Sequence, residues 1–229
     1  VGTWLNGVSI FSPQSEVFEE LQVRARNTIG GRGLAIGSFL IEPDGSVWLS
    51  VAEGLGLVHY DFERGVLAQY RPDPSNPRAL PSNIILDMRR DRRGRLWVST
   101  AAGLARLDGD GFTVFRHDPK DSTSLPNPNC SALLEDRNRA MWVGTLGGGV
   151  GMLCDGCTQF VNYRALPDMD GRPGLGGSSV ETLFEDSRGA IWIGLRSAGL
   201  ARLDPATNRI EHFRARPGVA GHIGNDSVS

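Results

Sequence analysis

The segment DRRGRLWVST (91–100) decides the fold, because its pattern recurs three more times along the chain. In every copy an acid stands six residues before a tryptophan, and a small residue stands two residues after it. The other copies are EPDGSVWLSV (42–51), DRNRAMWVGT (136–145) and DSRGAIWIGL (186–195). Self-similarity at a period of about 45 to 50 residues indicates a repeat architecture, in which each copy is one structural unit.

The third repeat shows what that unit is. It divides into four short segments of alternating or continuous apolar character, which is typical of strands. The segments are CSALLED (130–136), AMWVGT (140–145), GVGML (149–153) and TQFVNY (158–163). Turn-forming sequences separate them, including the Asp155-Gly156 pair that favours a tight hairpin. Four antiparallel strands with one tryptophan per repeat predict a blade of a β-propeller.

The two ends of the chain continue the same pattern. VGTWLNGVSIF (1–11) aligns with VGTLGGGVGML (143–153), and HIGNDSVS (222–229) resembles SLPNPNCS (124–131). We therefore expect an all-β fold in which residues 1–229 form a single partial propeller. The expected parts are the second half of a blade at 1–24, complete blades at about 34–71, 83–116, 129–164 and 178–214, and the start of a further blade at 222–229.

The repeated acid and tryptophan are expected to be structural. The tryptophan provides a large apolar surface for the core, and the acid caps the tight turn between the first two strands by accepting backbone N–H groups. The anchors assigned on this basis are Trp48, Trp97, Trp142, Trp192, Asp91, Asp136 and Asp186.

These motifs, with the crossover sequences YRPDPSNPRALPSN (70–83) and FRHDPKDSTSLPNPN (115–129), resemble the two-component regulator propeller repeat. Departures from that pattern are Arg139 in place of the turn glycine, Val51 and Leu195 where threonine is usual, and Cys154-Asp-Gly-Cys157 in place of an aspartate-led turn. The resemblance implies a periplasmic sensor domain of a bacterial inner-membrane signalling protein. The implied parent is membrane-anchored, with a dimer as a candidate assembly and a histidine kinase or diguanylate cyclase as its output.

A binding surface is expected on one face of the propeller. The turns between strands one and two, and between three and four, are short, whereas the crossovers between blades at 71–82, 116–128, 164–178 and 214–226 are long and lie on the opposite face. Long loops on a rigid scaffold commonly carry recognition. The candidate ligand-binding residues there are Trp4, Arg71, Arg116, His117, Arg164 and Arg214.

Two interpretations of these residues stay open. Each arginine follows an aromatic residue, and its guanidinium either bonds the loop backbone or nearby Asp73 and Asp118, or it binds carboxylates and sugar hydroxyls. Trp4 either stacks on a sugar ring or packs against a neighbouring blade. The expected partner is an unidentified small ligand, with oligosaccharides as the candidate class. The alternative is a docking or dimerisation propeller that binds a protein.

Enzyme chemistry and cofactors are not expected. His59, His117, His212 and His222 occupy different places in their repeats, and no pair has metal-ligand spacing. No nucleophile-elbow or phosphate-loop motif is present. A formal net charge of −2 gives no field that attracts nucleic acid, and RRDRRGR (89–95) is interpreted as a solvated turn.

The three cysteines fall into two classes. Cys130 occupies a core position and is expected to be a buried thiol. Cys154 and Cys157 flank a two-residue hairpin, so that they either form a disulfide or stay as two thiols. A zinc site would need a second pair of ligands, which the sequence does not supply.

Overall fold

The computed structural model describes residues 2–3, 7–12, 17–21, 36–51, 54–167, 173–216 and 223–228. The described residues form nineteen strands and no helix, so that none of their segments is a helix long and apolar enough to cross a membrane. The first three strands, which form a three-stranded sheet, are β1 (Gly2–Thr3), β2 (Gly7–Ser12) and β3 (Val17–Leu21).

The other sixteen strands form four antiparallel sheets of four strands, each joined strand to strand along the chain. The first blade has β4 (Ile36–Ile41), β5 (Val47–Val51), β6 (Gly56–Asp61) and β7 (Gly65–Tyr70). The second has β8 (Ile85–Arg90), β9 (Leu96–Thr100), β10 (Gly103–Asp108) and β11 (Gly111–Phe115). The third has β12 (Cys130–Glu135), β13 (Met141–Thr145), β14 (Gly149–Leu153) and β15 (Phe160–Tyr163). The fourth has β16 (Val180–Glu185), β17 (Ile191–Leu195), β18 (Gly199–Asp204) and β19 (Arg209–Phe213). The expected partial array of propeller blades is confirmed.

The cores of this fold lie between blades and not within them. The first strands β4, β8, β12 and β16 contact their neighbours in succession, so they form the inner side of the array. In the first three blades the tryptophan faces the blade that follows: Trp97 packs with Met141, Val143 and Leu153 of the third blade. Trp142 packs in the same way with the fourth blade and is completely buried. Each of these three blades therefore depends on its successor for burial of its tryptophan.

The acid before the tryptophan joins the turn to this core. Oδ1 of Asp136 accepts hydrogen bonds from the backbone N–H groups of Asn138 at 2.8 Å and Ala140 at 2.9 Å. Its Oδ2 accepts a third from the indole Nε1 of Trp142 at 2.9 Å. Asp91 and Asp186 hold their indoles at 2.8 and 2.9 Å, and Glu42 holds Trp48 at 2.7 Å. One carboxylate thus orders both the turn and the largest side chain of the blade.

The crossovers are more closely packed than their length suggests. The first three carry a leucine that is buried between two blades: Leu80, Leu125 and Leu175 are at most 2% exposed. The crossovers also bond to the outermost strand of the next blade, since Phe112 N donates to Arg78 O at 2.8 Å and Phe160 N donates to Thr123 O at 2.7 Å. These segments therefore cover part of an edge strand that would otherwise be open.

Arginines of the short turns hold neighbouring blades together. The backbone N–H of Arg92 donates to Glu135 of the third blade at 2.9 Å, and Arg137 donates in the same way to Glu185 of the fourth blade at 2.9 Å. Arg90 binds Glu42 of the first blade through its Nε at 3.0 Å. The basic run 89–95 is thus largely engaged in contacts within the protein.

Arg139 is the one departure from glycine at the tight turn, and its backbone is strained. Its φ is 67°, close to the values of 85°, 76° and 88° at Gly45, Gly94 and Gly189 in the other blades. The left-handed region costs a non-glycine residue about 1–2 kcal/mol. Its side chain compensates little for this strain, because its Nε lies 3.8 Å from the carboxylate of Asp155 and the side chain is half exposed.

Replacement of Arg139 by glycine is therefore expected to stabilise the fold. The relief of backbone strain exceeds the extra chain entropy that glycine adds to the unfolded state, which leaves a gain of about 0.5–1 kcal/mol. Urea unfolding of Arg139→Gly beside the parent chain measures it, and Gly94→Arg is the matched reverse change, expected to destabilise. An Arg139→Gly chain that unfolds at the same or a lower urea concentration would contradict the strain argument.

Candidate functional site

The long connections meet at one end of the blades, which we call the crossover face. It comprises the loops between the second and third strands, at 101–102, 146–148 and 196–198, with the adjoining crossover ends. Leu146 pairs with Ser179, and Gly149 N donates to Ser178 O at 2.8 Å, which joins a loop of the third blade to the entry of the fourth. The opposite end, the turn face, holds the turns at 91–94, 136–139, 154–157 and 186–189.

The candidate arginines lie on the crossover face, one on each blade. Arg71, Arg116, Arg164 and Arg214 each directly follow the outermost strand of a different blade, and all four are exposed. Two of them have long contacts to backbone carbonyls: Arg116 Nη1 lies 3.5 Å from Ala102 O, and Arg214 Nη2 lies 3.4 Å from Gly176 O. Within the described ranges, no carboxylate forms an ion pair with any of the four. Because the strands that precede them are the outermost of each sheet, the four arginines are spread along the rim of the array.

The arginines of the turn face behave differently. There Arg90, Arg92, Arg93, Arg95 and Arg137 each contact a carboxylate, mostly of a neighbouring blade. Since exposed guanidinium groups that pair with no carboxylate of the described residues are available to external anions, the two faces differ in what they can bind.

The aromatic residue before each arginine has a structural partner. The ring centroids of Trp97 and Phe115 lie 5.8 Å apart, and those of Trp142 and Tyr163 are also 5.8 Å apart. The same pairing joins Trp48 to Tyr70 at 6.2 Å and Trp192 to Phe213 at 5.3 Å. The blade tryptophan therefore fixes the point from which each arginine leaves the sheet.

The two other candidates have separate outcomes. His117 is half-buried, and its Nδ1 lies 2.7 Å from Leu125 O, so this ring nitrogen is engaged in holding the crossover. Trp4 lies outside the described residues. The exposed side chains of the crossover face thus include the four arginines and Leu166.

Among the described residues, depressions also lie away from the candidate arginines. A narrow cleft between the second and third blades opens on the turn face and is lined by Asp91, Arg95, Glu135, Cys154 and Asp155 among others. An open depression of about 450 Å³ lies on the flank of the fourth blade, against Trp192, Arg202, Glu211 and Phe213. Sequence reasoning missed both, because each depends on how one blade lies against the next.

The titratable groups of the described residues are mainly structural. Burial raises the pKa of Asp87, although its carboxylate accepts hydrogen bonds from Leu133 N and Met88 N. Burial opposes ionisation of Asp91 too, yet bonds from Trp97 and Arg95 hold the pKa of that carboxyl below its usual value. Burial also raises the pKa of the Cys130 thiol to about 12, which makes it a poor nucleophile.

His59 is also part of the packing within its blade. Burial lowers the pKa of His59, whose ring stacks on Trp48 with centroids 4.2 Å apart. The part of the chain that the structure describes contains no group of three or more His, Cys, Asp or Glu side chains placed to hold a metal ion.

Solved structures with the same fold span several functions. The extracellular domain of a protein described as a hybrid two component system, BT3049 of B. thetaiotaomicron, is 16% identical with a TM-score of 0.65, over 96% of this chain and 27% of that one. PorZ, a surface component of the type-IX secretion system of Porphyromonas gingivalis, is 14% identical with a TM-score of 0.66, over 93% of this chain and 32% of that one. Virginiamycin B lyase of Staphylococcus aureus is 16% identical with a TM-score of 0.58, over 80% of this chain and 56% of that one.

This chain thus spans about a quarter to just over half of the length of these structures. No curated protein matches it in sequence. The family model described as two component regulator propeller matches it twice, at residues 79–102 and 124–147. Both matches run from the leucine-proline crossover through the tryptophan strand, the region on which the resemblance rested. The chain thus has a β-propeller fold, and two of its segments match the two component regulator propeller model.

Proposed function

We propose that this chain is part of an extracytoplasmic sensor propeller of a membrane-anchored signalling protein, and that it works by binding and not by catalysis. The observation that carries the proposal is the exposed arginine on the crossover face of each blade, in a chain with two component regulator propeller repeats. A bound ligand shifts the relative placement of the domains next to the membrane. In this proposal the location is the periplasm and the output is a histidine kinase or a diguanylate cyclase.

The distribution of the arginines favours an extended acidic ligand. Guanidinium groups bind carboxylates through paired hydrogen bonds and also bond sugar hydroxyls. Because each arginine belongs to a different blade, a single small molecule cannot reach them all, whereas an oligosaccharide with uronic acid units can contact several in turn. We therefore take acidic oligosaccharides as the first candidate class.

A protein-docking function is the second candidate. A protein partner would contact the same crossover face, where Leu166 is 77% exposed. Apolar side chains on long loops suit contact with another protein surface.

Thermal unfolding in the presence of ligands tests the proposal. The panel contains uronic acid oligosaccharides, neutral oligosaccharides of the same length and the single sugars. A ligand present at 100 times its dissociation constant stabilises the fold by about 2.7 kcal/mol, so a clear rise in unfolding temperature is expected for the acidic oligosaccharides. Arg116→Ala and Arg164→Ala are each expected to reduce this rise without changing the unfolding temperature of the free chain.

Arg188→Ala is the matched control, because Arg188 is exposed on the turn face. It is expected to leave the response to ligand unchanged. If no sugar in the panel shifts unfolding, or if Arg188→Ala weakens the response as much as Arg116→Ala, the crossover face is not the binding site. The docking function would then be the better explanation.

A further inference from the structure

We infer that the Cys154–Cys157 bond is a thiol–disulfide exchange site, which dithiols open at the boundary between the second and third blades. The inference is independent of the sensor function, since it concerns the turn face and a different chemistry. Four features support it: Cys154 is accessible, the disulfide closes a small loop, charged side chains surround that loop, and the loop contacts the neighbouring blade.

The two cysteines differ in accessibility. They are bonded to each other across the turn between β14 and β15, with Cα atoms 5.2 Å apart. Cys154 is exposed, whereas Cys157 is half-buried and packs against the core around Trp97. An incoming thiolate therefore reaches Cys154 first, and Cys157 is the leaving group.

The bond contributes little as a structural staple. A disulfide restricts the unfolded chain more when it closes a longer loop, and this one joins residues only three apart. The hairpin is also closed without it, because Cys157 N donates to Cys154 O at 3.0 Å. The equivalent turns of the second and fourth blades, 108–111 and 204–208, form without cysteine. Breaking the bond thus leaves the blade intact.

The surroundings of the bond favour the thiolate form. Asp155, inside the loop, forms ion pairs with Arg93 at 2.6 Å, Arg95 at 3.3 Å and Arg139 at 3.8 Å. The cleft beside the bond also contains Arg106, with Asp91 and Glu135 as the other carboxylates. Among the described residues Arg93 and Arg139 have no carboxylate partner other than Asp155, whereas Arg106 is paired with Asp108 at 2.9 Å. Nearby cations stabilise a cysteine thiolate, which makes a disulfide easier to reduce and the freed thiol more reactive.

The exchange has two balanced steps. One thiolate of a dithiol attacks Sγ of Cys154, the Cys154–Cys157 bond breaks, and its electron pair leaves with Cys157 as a thiolate. The second thiolate of the dithiol then attacks its own partner sulfur in the mixed disulfide and releases Cys154 as a thiolate. The dithiol is oxidised to a cyclic disulfide, the protein gains two electrons, and the two protons of the dithiol pass to the solvent or to the two cysteines.

Opening the bond alters a contact between blades. Asp155 belongs to the third blade, whereas Arg93 and Arg95 belong to the second. Once the loop is no longer closed covalently, Asp155 is held less firmly against these arginines. The redox state of the cysteine pair is thereby linked to the tightness of the seam between the two blades.

Alkylation after reduction tests the first part of the inference. The air-oxidised chain is treated with dihydrolipoamide without denaturant and trapped with a maleimide, and the labelled cysteines are identified by mass spectrometry. We expect Cys154 and Cys157 to be labelled only after reduction, while the buried Cys130 stays unlabelled. An Arg93→Gln, Arg139→Gln chain is expected to be reduced about tenfold more slowly, the equivalent of roughly one pKa unit, and Arg188→Gln is the matched control with no change.

Hydrogen exchange tests the link to the seam. Reduction is expected to speed exchange at the amides of 92–95 and to leave 187–190, the equivalent turn of the fourth blade, unchanged. A chain in which both cysteines are replaced by serine should not respond to the dithiol at either turn. The inference is overturned if the air-oxidised chain already carries two free thiols, if the bond resists the dithiol until the chain is unfolded, or if removal of the two arginines leaves the rate unchanged.

Discussion

Trp142→Ala is expected to lower the free energy of unfolding by about 3–5 kcal/mol, the range for removal of a large aromatic side chain from a packed core. Trp142 is completely buried, in a core that includes Leu134 of its own blade and Ile191 and Ile193 of the next. The loss therefore falls on the interface between the third and fourth blades. Denaturant unfolding followed by tryptophan fluorescence and circular dichroism measures it.

Trp192→Ala is the matched control for this prediction. Trp192 occupies the same position in the fourth blade but is only partly buried, because its outer side borders the open depression of that flank. A clearly smaller loss of stability is expected. Equal losses at Trp142 and Trp192 would mean that contacts within a blade, and not burial by its successor, provide the stability.

Asp136→Ala is the second change with a large expected effect, a loss of about 3 kcal/mol. Asp136 is 3% exposed and accepts hydrogen bonds from Asn138 N, Ala140 N and Trp142 Nε1. Its removal leaves three donors without their acceptor, and a buried donor that loses its partner costs about 1–3 kcal/mol. Denaturant unfolding measures the loss, and Asp136→Asn, which keeps one acceptor oxygen, is expected to lose less.

A double-mutant cycle separates the indole bond from the turn. Trp142→Phe keeps an aromatic ring but lacks the Nε1 donor, so the effects of Asp136→Ala and Trp142→Phe should overlap. The coupling energy expected for two groups in direct contact is about 0.5–3 kcal/mol. Strictly additive losses would show that the carboxylate acts on the turn alone.

Much of the fold follows from local pattern. Strand length, turn chemistry and the regular return of the tryptophan are all encoded within a single repeat, and the propeller was therefore recognisable from sequence. The acid six residues before the tryptophan was expected to cap the turn. Its second bond, to the indole of Trp142 and its equivalents, was not expected, because it depends on how the two side chains turn toward each other across the sheet.

The features that were missed depend on contacts between blades. The burial of Leu125 between the second and third blades cannot be read from the crossover itself, which looks like a polar loop rich in proline and serine. The placement of Arg93 and Arg95 against Asp155 is of the same kind. For the candidate site, sequence placed the arginines on one face but did not show that each stands alone on its own blade.

The burial of each tryptophan by the following blade has a consequence for synthesis on the ribosome. When translation has passed Phe115, all four strands of the second blade exist, yet Leu125, Leu133 and Val143, which enclose Trp97, have not been made. The tryptophan of a newly made blade therefore stays uncovered until about thirty more residues, roughly two-thirds of a further repeat, have emerged. The order of translation then becomes the order of assembly, and slow decoding just after a blade would prolong the interval in which chaperones are needed.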